Sequence, residues 1–291
     1  MAIDYERLMS RRFPSIEHHY TSKDCILYAL GLGIGENPTD ASHLRVLYER
    51  AANFAALPSM VNVLAYPGFW AMEPDTGLTW QKILHGEQSL TLHAPLPVEG
   101  TVVGNMKVTG IVDKGVNKGA LIYSEREITD KSSGSHIATI TSTSFALGDG
   151  GFGGPDTAVK PAHPLPDREP DLFHDFKTST RNALIYRLSG DLNPLHADPS
   201  VAEEAGFDQP ILHGLCSLGV SSWAITAALR NGNVSDLKHL QLRFSAPVYP
   251  GETIRTEIWE DGEQVSFRAR VVERDVVVLN NGLATLHKDT Q

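Results

Sequence analysis

Residues 190–199 read Gly-Asp-Leu-Asn-Pro-Leu-His-Ala-Asp-Pro, which places an acid, an amide and an imidazole (Asp191, Asn193 and His196) within six positions. An acid and an imidazole this close can hold one water molecule and pass protons to and from it. Their ordinary pKa values, about 3.9 and about 6.5, bracket what acid–base work at neutral pH requires once burial adjusts them. Asn193 can donate and accept through its amide and so fix an orientation. The spacing alone is equally compatible with a bland arrangement, in which Asp191 caps a helix or an Asx-turn and His196 is a satisfied surface histidine.

Seventeen residues after His196, the pair His213-Gly214 heads a run, residues 211–229, that contains no Lys, Arg, Asp or Glu. If a helix opens there, the Gly214 amide is one of its unpaired N-terminal donors and the helix dipole adds to it. Such an amide suits a developing oxyanion, and glycine lets a ligand approach the backbone closely. Water handled on one side and a polarised carbonyl on the other describe addition of water to a carbonyl-conjugated double bond. The run is almost long enough to span a bilayer. Its histidine and serines favour a helix buried inside the protein, so no membrane association is expected.

The elements that must position these groups come in two copies. Leu90-Thr-Leu-His-Ala-Pro-Leu96 resembles Leu242-Arg-Phe-Ser-Ala-Pro-Val248 at an offset of 152, and the same offset relates Thr101 to Thr253 and Pro58 to Pro210. Tyr28-Ala-Leu with Asn37-Pro38 echoes Tyr186-Arg-Leu with Asn193-Pro194. Each half reads as a helical segment, a Pro-containing turn, an apolar helix and several strands. Val265, Phe267, Ala269 and Val271 alternate with polar residues, the mark of a strand with one buried face. Asp261-Gly262 signals a hairpin. TVVGNMKVTGIV, ALIYSEREI and HIATITSTSFAL supply strands to the first half, and VVVLNNGLATL a last one to the second. The expectation is an α+β fold of two antiparallel sheets, each wrapped around a helix. An N-terminal unit over 1–150, a Gly/Pro-rich linker over 151–172 and a C-terminal unit over 173–291 follow.

The copies differ where the chemistry lies. At offset 152 His213 and Gly214 fall on Val61 and Asn62, and at offset 156 Asp191 and His196 fall on Gly35 and Asp40. One half is expected to carry out the reaction and the other to give shape. The glycines of GDGGFGG (148–154) lack the Gly-Lys-Ser/Thr of a phosphate loop and read as a turn into the linker. Gly31-Leu-Gly33-Ile-Gly35 follows a helical pattern rather than a strand, so it reads as a helix C-terminus and not as a dinucleotide fingerprint.

Composition narrows the classes further. A net charge of −10 argues against nucleic-acid binding, which needs a basic face. Two cysteines, Cys25 and Cys216, form no disulfide framework, which suits a reducing compartment. The N-terminus shows no signal peptide and the ending HKDTQ no peroxisomal tripeptide, so a cytoplasmic location is expected.

Tyr186-Arg-Leu-Ser-Gly-Asp-Leu-Asn-Pro-Leu-His196, Ala205-Gly-Phe207 and Pro210-Ile-Leu-His-Gly214 together resemble the type 2, (R)-specific enoyl-CoA hydratases of the MaoC-like group. Arg243-Phe-Ser-Ala-Pro-Val-Tyr-Pro-Gly251 is similar to that group's strand after the central helix. The GDGGFGG turn and Tyr28-Ala-Leu-Gly-Leu-Gly33 resemble its two-domain form. The resemblance implies a double hot-dog fold, a C-terminal half that hydrates enoyl thioesters, and an N-terminal half that accommodates the acyl chain. It also implies a homodimer, an acyl-CoA or acyl-carrier-protein substrate, and no cofactor or metal. Carried over by position, Asp191 and His196 are the catalytic pair, Asn193 positions them, and Gly214 supplies the oxyanion amide. Lys238 and Arg243 are candidates for the nucleotide phosphates, with a solvated strand face as the rival reading. His213 and Phe244 complete the expected substrate contacts, and residues 57–72 are the candidate lining of an acyl tunnel, with ordinary core as the rival. Two other classes remain open at this point. One is a thioester-binding scaffold with a decayed site; the other is a metal-dependent hydrolase built on Asp191, His196 and His213.

Overall fold

The computed structural model describes residues 3–37, 39–155 and 159–287. Pro38 of the Asn37-Pro38 echo, positions 156–158 of the linker and the last four residues lie outside that range. The first half comprises α1 (Tyr5–Met9), β1 (Ile16–Tyr20), α2 (Ser22–Leu32), α3 (Leu44–Leu47), β2 (Ile83–Leu92), β3 (Gly100–Asp113), β4 (Ala120–Asp130) and β5 (His136–Ala146). The second comprises β6 (Leu172–Lys177), α4 (Asn182–Tyr186), α5 (Pro199–Glu204), α6 (Gly214–Leu229), β7 (Leu237–Phe244), β8 (Thr253–Asp261), β9 (Gln264–Val271) and β10 (Val276–Leu286).

All ten strands form one antiparallel sheet in the order β1-β3-β4-β5-β2-β7-β10-β9-β8-β6. Read outward from the centre, both halves follow the same path, so the duplication seen in the sequence is a duplication of topology. The halves join where β2 pairs with β7, and Ser89 faces Gln241 across that pair. Those two residues are themselves 152 positions apart, so a pseudo-two-fold axis passes between them. Tyr28 and Tyr186, the other echoed pair, also meet, with fully buried rings 5.6 Å apart.

In the second half α6 packs against β6, β7 and β8. Eleven of its sixteen residues are buried, and among the described residues no helix is long and apolar enough to cross a membrane. Its hydroxyls are accommodated inside: Ser221 meets Thr256 at 3.2 Å and Thr226 bonds back to the Trp223 carbonyl at 3.0 Å. The α2 C-terminus crosses it closely. A Cβ on Gly219 would stand 2.6 Å from Leu32, and one on Gly31 would stand 2.9 Å from the Tyr186 backbone. Gly33 ends α2 in the left-handed conformation at φ 97°, as a helix C-terminus requires.

The first half departs from the expected helix. Pro58–Asn62 forms a single 3-10 turn, and no α-helix follows it before β2. The chain is diverted by Ala65 at φ 47° and by Pro67-Gly68, with Gly68 at φ 85°. Pro67 removes a backbone donor and disfavours the helical conformation for Tyr66 before it, so the apolar run cannot propagate as α6 does. The hairpin between β8 and β9 also differs by one residue: Asp261 pairs with Gln264, which leaves Gly262-Glu263 as the loop. The glycines after β5 do form a cradle of amides, and this chain's own Asp113 fills it. Its carboxylate accepts from the N–H groups of Gly115, Gly151 and Gly153 at 2.8, 2.7 and 2.7 Å.

Candidate active site

The loop after α4 is shaped by its own polar side chains. Gly190 turns the chain at φ 127°, and Asp191 Oδ1 accepts from the Asn193 N–H at 3.2 Å. Asn193 Oδ1 in turn accepts from the Leu195 N–H at 3.1 Å, capping the 3-10 turn Pro194–His196. The Asx-turn reading of Asp191 holds, and it engages one carboxylate oxygen. Asn193 is exposed. It sets the turn that carries His196 and does not itself face the reacting atoms.

His196 is buried, at 8% exposure, and not a surface histidine. Its Nδ1–H donates to the Ile211 carbonyl at 2.8 Å, which leaves Nε2 with a lone pair to accept a proton. Burial pulls its pKa below the ordinary imidazole value, with Asp191 opposing, so the ring is neutral at pH 7. Asp191, His196 and His213 each offer a side-chain donor atom within 4.8 Å of the others.

His213, expected to touch substrate, is 1% exposed and stands behind the site. Its ring stacks on His196 at 3.7 Å and 27°, and on its other side meets Tyr186 at 4.9 Å. The Nε2–H donates to the Asp191 carbonyl at 3.2 Å. Burial, then the neighbouring imidazole of His196, pushes its pKa down to about 4. His213 is thus a neutral wall that fixes both members of the pair, and its own neighbour Gly214 is the first residue of α6. The Gly214 N–H has no acceptor within the helix. The Phe244 ring lies against Gly214, where a Cβ would approach it to 2.9 Å.

The remaining expected contacts separate. Phe244 belongs to the site. Arg243 is held by Glu87 of β2 at 2.5 Å, so a carboxylate already offsets its charge and it is a poor phosphate anchor. Lys238 is the second residue of β7, six residues before Phe244, which places the two Cα atoms about 20 Å apart at strand rise. It does not join the cluster.

The first half contributes residues that sequence reading missed. The His85 ring packs on Phe244 at 4.5 Å and donates from Nε2 to Gln88 at 2.9 Å. Buried Gln88 also accepts from Ser142 at 2.6 Å and donates to Asn62 at 2.6 Å. His85 and Tyr66 keep accessible surface while protein crowds around them, and both feel the charge of Asp191. Burial pushes the Tyr66 phenol up to about 12 and the His85 imidazole down.

Residues 161–282 match the MaoC like domain, and residues 18–148 match the MFE-2 hydratase 2 N-terminal domain. The chain is 38% identical over 295 residues to the probable enoyl-CoA hydratase 2 of Dictyostelium discoideum, covering 98% of this chain and 97% of that protein. It is 40% identical over 280 residues to the peroxisomal multifunctional enzyme type 2 of Drosophila melanogaster, covering 92% of this chain but 46% of that longer protein. A solved MaoC-like dehydratase from Phytophthora capsici superposes with a TM-score of 0.87 at 36% identity, covering 98% of this chain and 99% of that one. The fold is the double hot-dog, with the helix of its first half reduced to a turn. The chain belongs to the MaoC-like dehydratase family, in the form that joins a hydratase 2 N-terminal domain to a MaoC-like domain.

Proposed function

We propose that this protein is a hydro-lyase that reversibly hydrates a trans-2-enoyl thioester to the (R)-3-hydroxyacyl thioester. The observation that carries the reading is the approach of Asp191 and His196 side-chain atoms to within 4.8 Å of each other and of His213, the residue that precedes the first residue of α6. The free Asp191 carboxylate oxygen and His196 Nε2 are both acceptors, so a water between them donates one hydrogen to each and turns a lone pair outward. As its oxygen bonds to C3, one proton passes to the pair. Electron density moves to the thioester oxygen, where the Gly214 N–H and the α6 dipole stabilise it. A proton from the pair then closes the reaction at C2, so atoms and charge balance without a cofactor. The relative named a probable enoyl-CoA hydratase 2 supports the same chemistry.

In this reading residues 173–291 hold the reacting centre and residues 1–150 accommodate the acyl chain. A cytosolic homodimer acting on coenzyme A or acyl-carrier-protein thioesters is the proposed setting. Loss of the enoyl absorbance of crotonyl-, decenoyl- and branched enoyl-CoA, with chiral analysis of the product, tests the reading. An (S) product overturns the stereochemistry, and binding without absorbance loss favours the scaffold alternative.

The clustering of Asp191, His196 and His213 raises a second reading, a divalent metal centre. The donor set fits it poorly. A metal bonds imidazole nitrogen at about 2 Å in the plane of the ring. Two rings stacked 3.7 Å apart at 27° direct their lone pairs nearly side by side and not toward one point.

A further inference from the structure

The concave face of the first half is polar where its counterpart is apolar. Offset 152 relates Gln88 to Leu240, and both are buried. Strand register extends the comparison. Ser124 pairs with Val108 and Arg126 with Met106 in the first half; Val265 pairs with Glu260 and Phe267 with Ile258 in the second. Since Met106 and Ile258 are 152 positions apart, Arg126 occupies the place of Phe267, and Ser124 that of Val265. In the second half these inward positions, Leu240, Val265 and Phe267, are fully buried in the apolar core. In the first half the helix is absent and the same positions carry Gln88, Ser124 and Arg126.

Arg126 is 5% exposed. One terminal nitrogen donates to the Val61 and Asn62 carbonyls at 3.2 and 2.7 Å, and the guanidinium lies 5.2 Å from the Tyr66 ring centroid. Its Nε is buried without a partner among the described residues. No Asp or Glu of the described residues reaches it within 4.0 Å. A buried guanidinium with neither a counter-charge nor a full set of acceptors is costly. A saturated hydrocarbon tail laid against it would leave that cost in place, whereas an acceptor oxygen would relieve it.

We propose that Arg126 is a specificity-determining residue that receives an oxygen-bearing group carried on the acyl chain beyond the double bond. The proposal rests on the reading that the first half holds the acyl chain. Tyr66 connects the two regions: its ring lies 5.2 Å from the Arg126 guanidinium, and it is near enough to Asp191 to feel that carboxylate's charge.

The test compares trans-2-enoyl-CoA thioesters of equal length, from six to twelve carbons, ending in methyl, carboxylate or ketone. The readout is the ratio of kcat/KM for oxygenated over methyl-ended chains within one preparation, which cancels differences in folded fraction between variants. At the chain length whose end reaches Arg126, the wild-type ratio is expected to exceed about ten, in line with a charge-assisted hydrogen bond, and Arg126→Met should bring it to about one. A preference for carboxylate over ketone identifies an anion site, and equal preference a neutral acceptor site. An unchanged ratio in Arg126→Met at every length overturns the proposal. Calorimetric binding of the matching saturated acyl-CoA pairs gives the same ratio without turnover. It therefore separates this inference from the hydratase reading, which falls if wild type hydrates none of the methyl-ended substrates.

Discussion

Replacing Asp191 by Asn tests the proposed water site with little structural disturbance. The Asn193 N–H that Asp191 Oδ1 accepts at 3.2 Å can be accepted equally by an asparagine oxygen, so the loop should keep its turn. What changes is the second oxygen, which becomes an NH2 donor facing a water that needs an acceptor. Loss of an acid–base group slows turnover about 10²–10⁴-fold, or about 2.7–5.5 kcal/mol of barrier. The melting temperature should shift by less than about 2 °C, because no buried contact is removed. His196→Gln should lose activity to a similar degree. The double variant is the sharper measurement. If the two groups acted independently, their losses would multiply to about 10⁴–10⁸-fold; because they grip one water, the double variant should be no worse than about tenfold below the poorer single. Decenoyl-CoA hydration, followed by enoyl absorbance alongside thermal melts, decides this. A single variant within tenfold of wild type, or a double variant with multiplied losses, would refute the assignment.

Gly214→Ala should place a methyl 2.9 Å from the Phe244 ring, lowering kcat/KM about tenfold or more and costing about 1–3 kcal/mol of stability; Phe244→Leu in the same chain should restore part of both. On the acid side, kcat/KM requires the neutral His196 ring. Burial lowers its pKa, so the imidazole limb of a pH–rate profile should have its midpoint below 6.5, and a midpoint above 6.5 contradicts the environment described. Full hydratase activity is expected after dialysis against EDTA, and a loss reversed by a divalent ion would restore the metal reading.

The second half was legible because its signals were local. Period-two alternation gave β9, and a chargeless run without proline gave α6, whose buried pattern matches. Gly190, Asp191 and Asn193 act on residues two or three positions away, so their roles follow from chain order. The first half misled where one proline governs more than average apolarity does: residues 57–72 are as apolar as a core helix, yet Pro67-Gly68 stops one from forming. His85 was beyond reach, since only the β2–β7 junction brings it onto Phe244. Arg126 left a trace. It sits in phase with Ala120, Ile122 and Ile128, the buried positions of β4, and a charge at an inward position is the kind of break in pattern that marks function.

The pseudo-two-fold axis explains why the asymmetry is tolerated. A hot-dog half needs something to fill the concave face of its sheet, and in the second half α6 does so. Its N-terminus is then committed, because His213 and Gly214 occupy the mouth where the loop of Asp191 returns. The axis between Ser89 and Gln241 sets the two halves side by side along β2 and β7. Val63 lies beside Gly190, its carbonyl 3.6 Å from where a Cβ would stand. Loss of the helix and gain of the polar positions go together: where α6 has no counterpart, the turn Pro58–Asn62 covers Gln88 and Arg126, and both bond to Asn62.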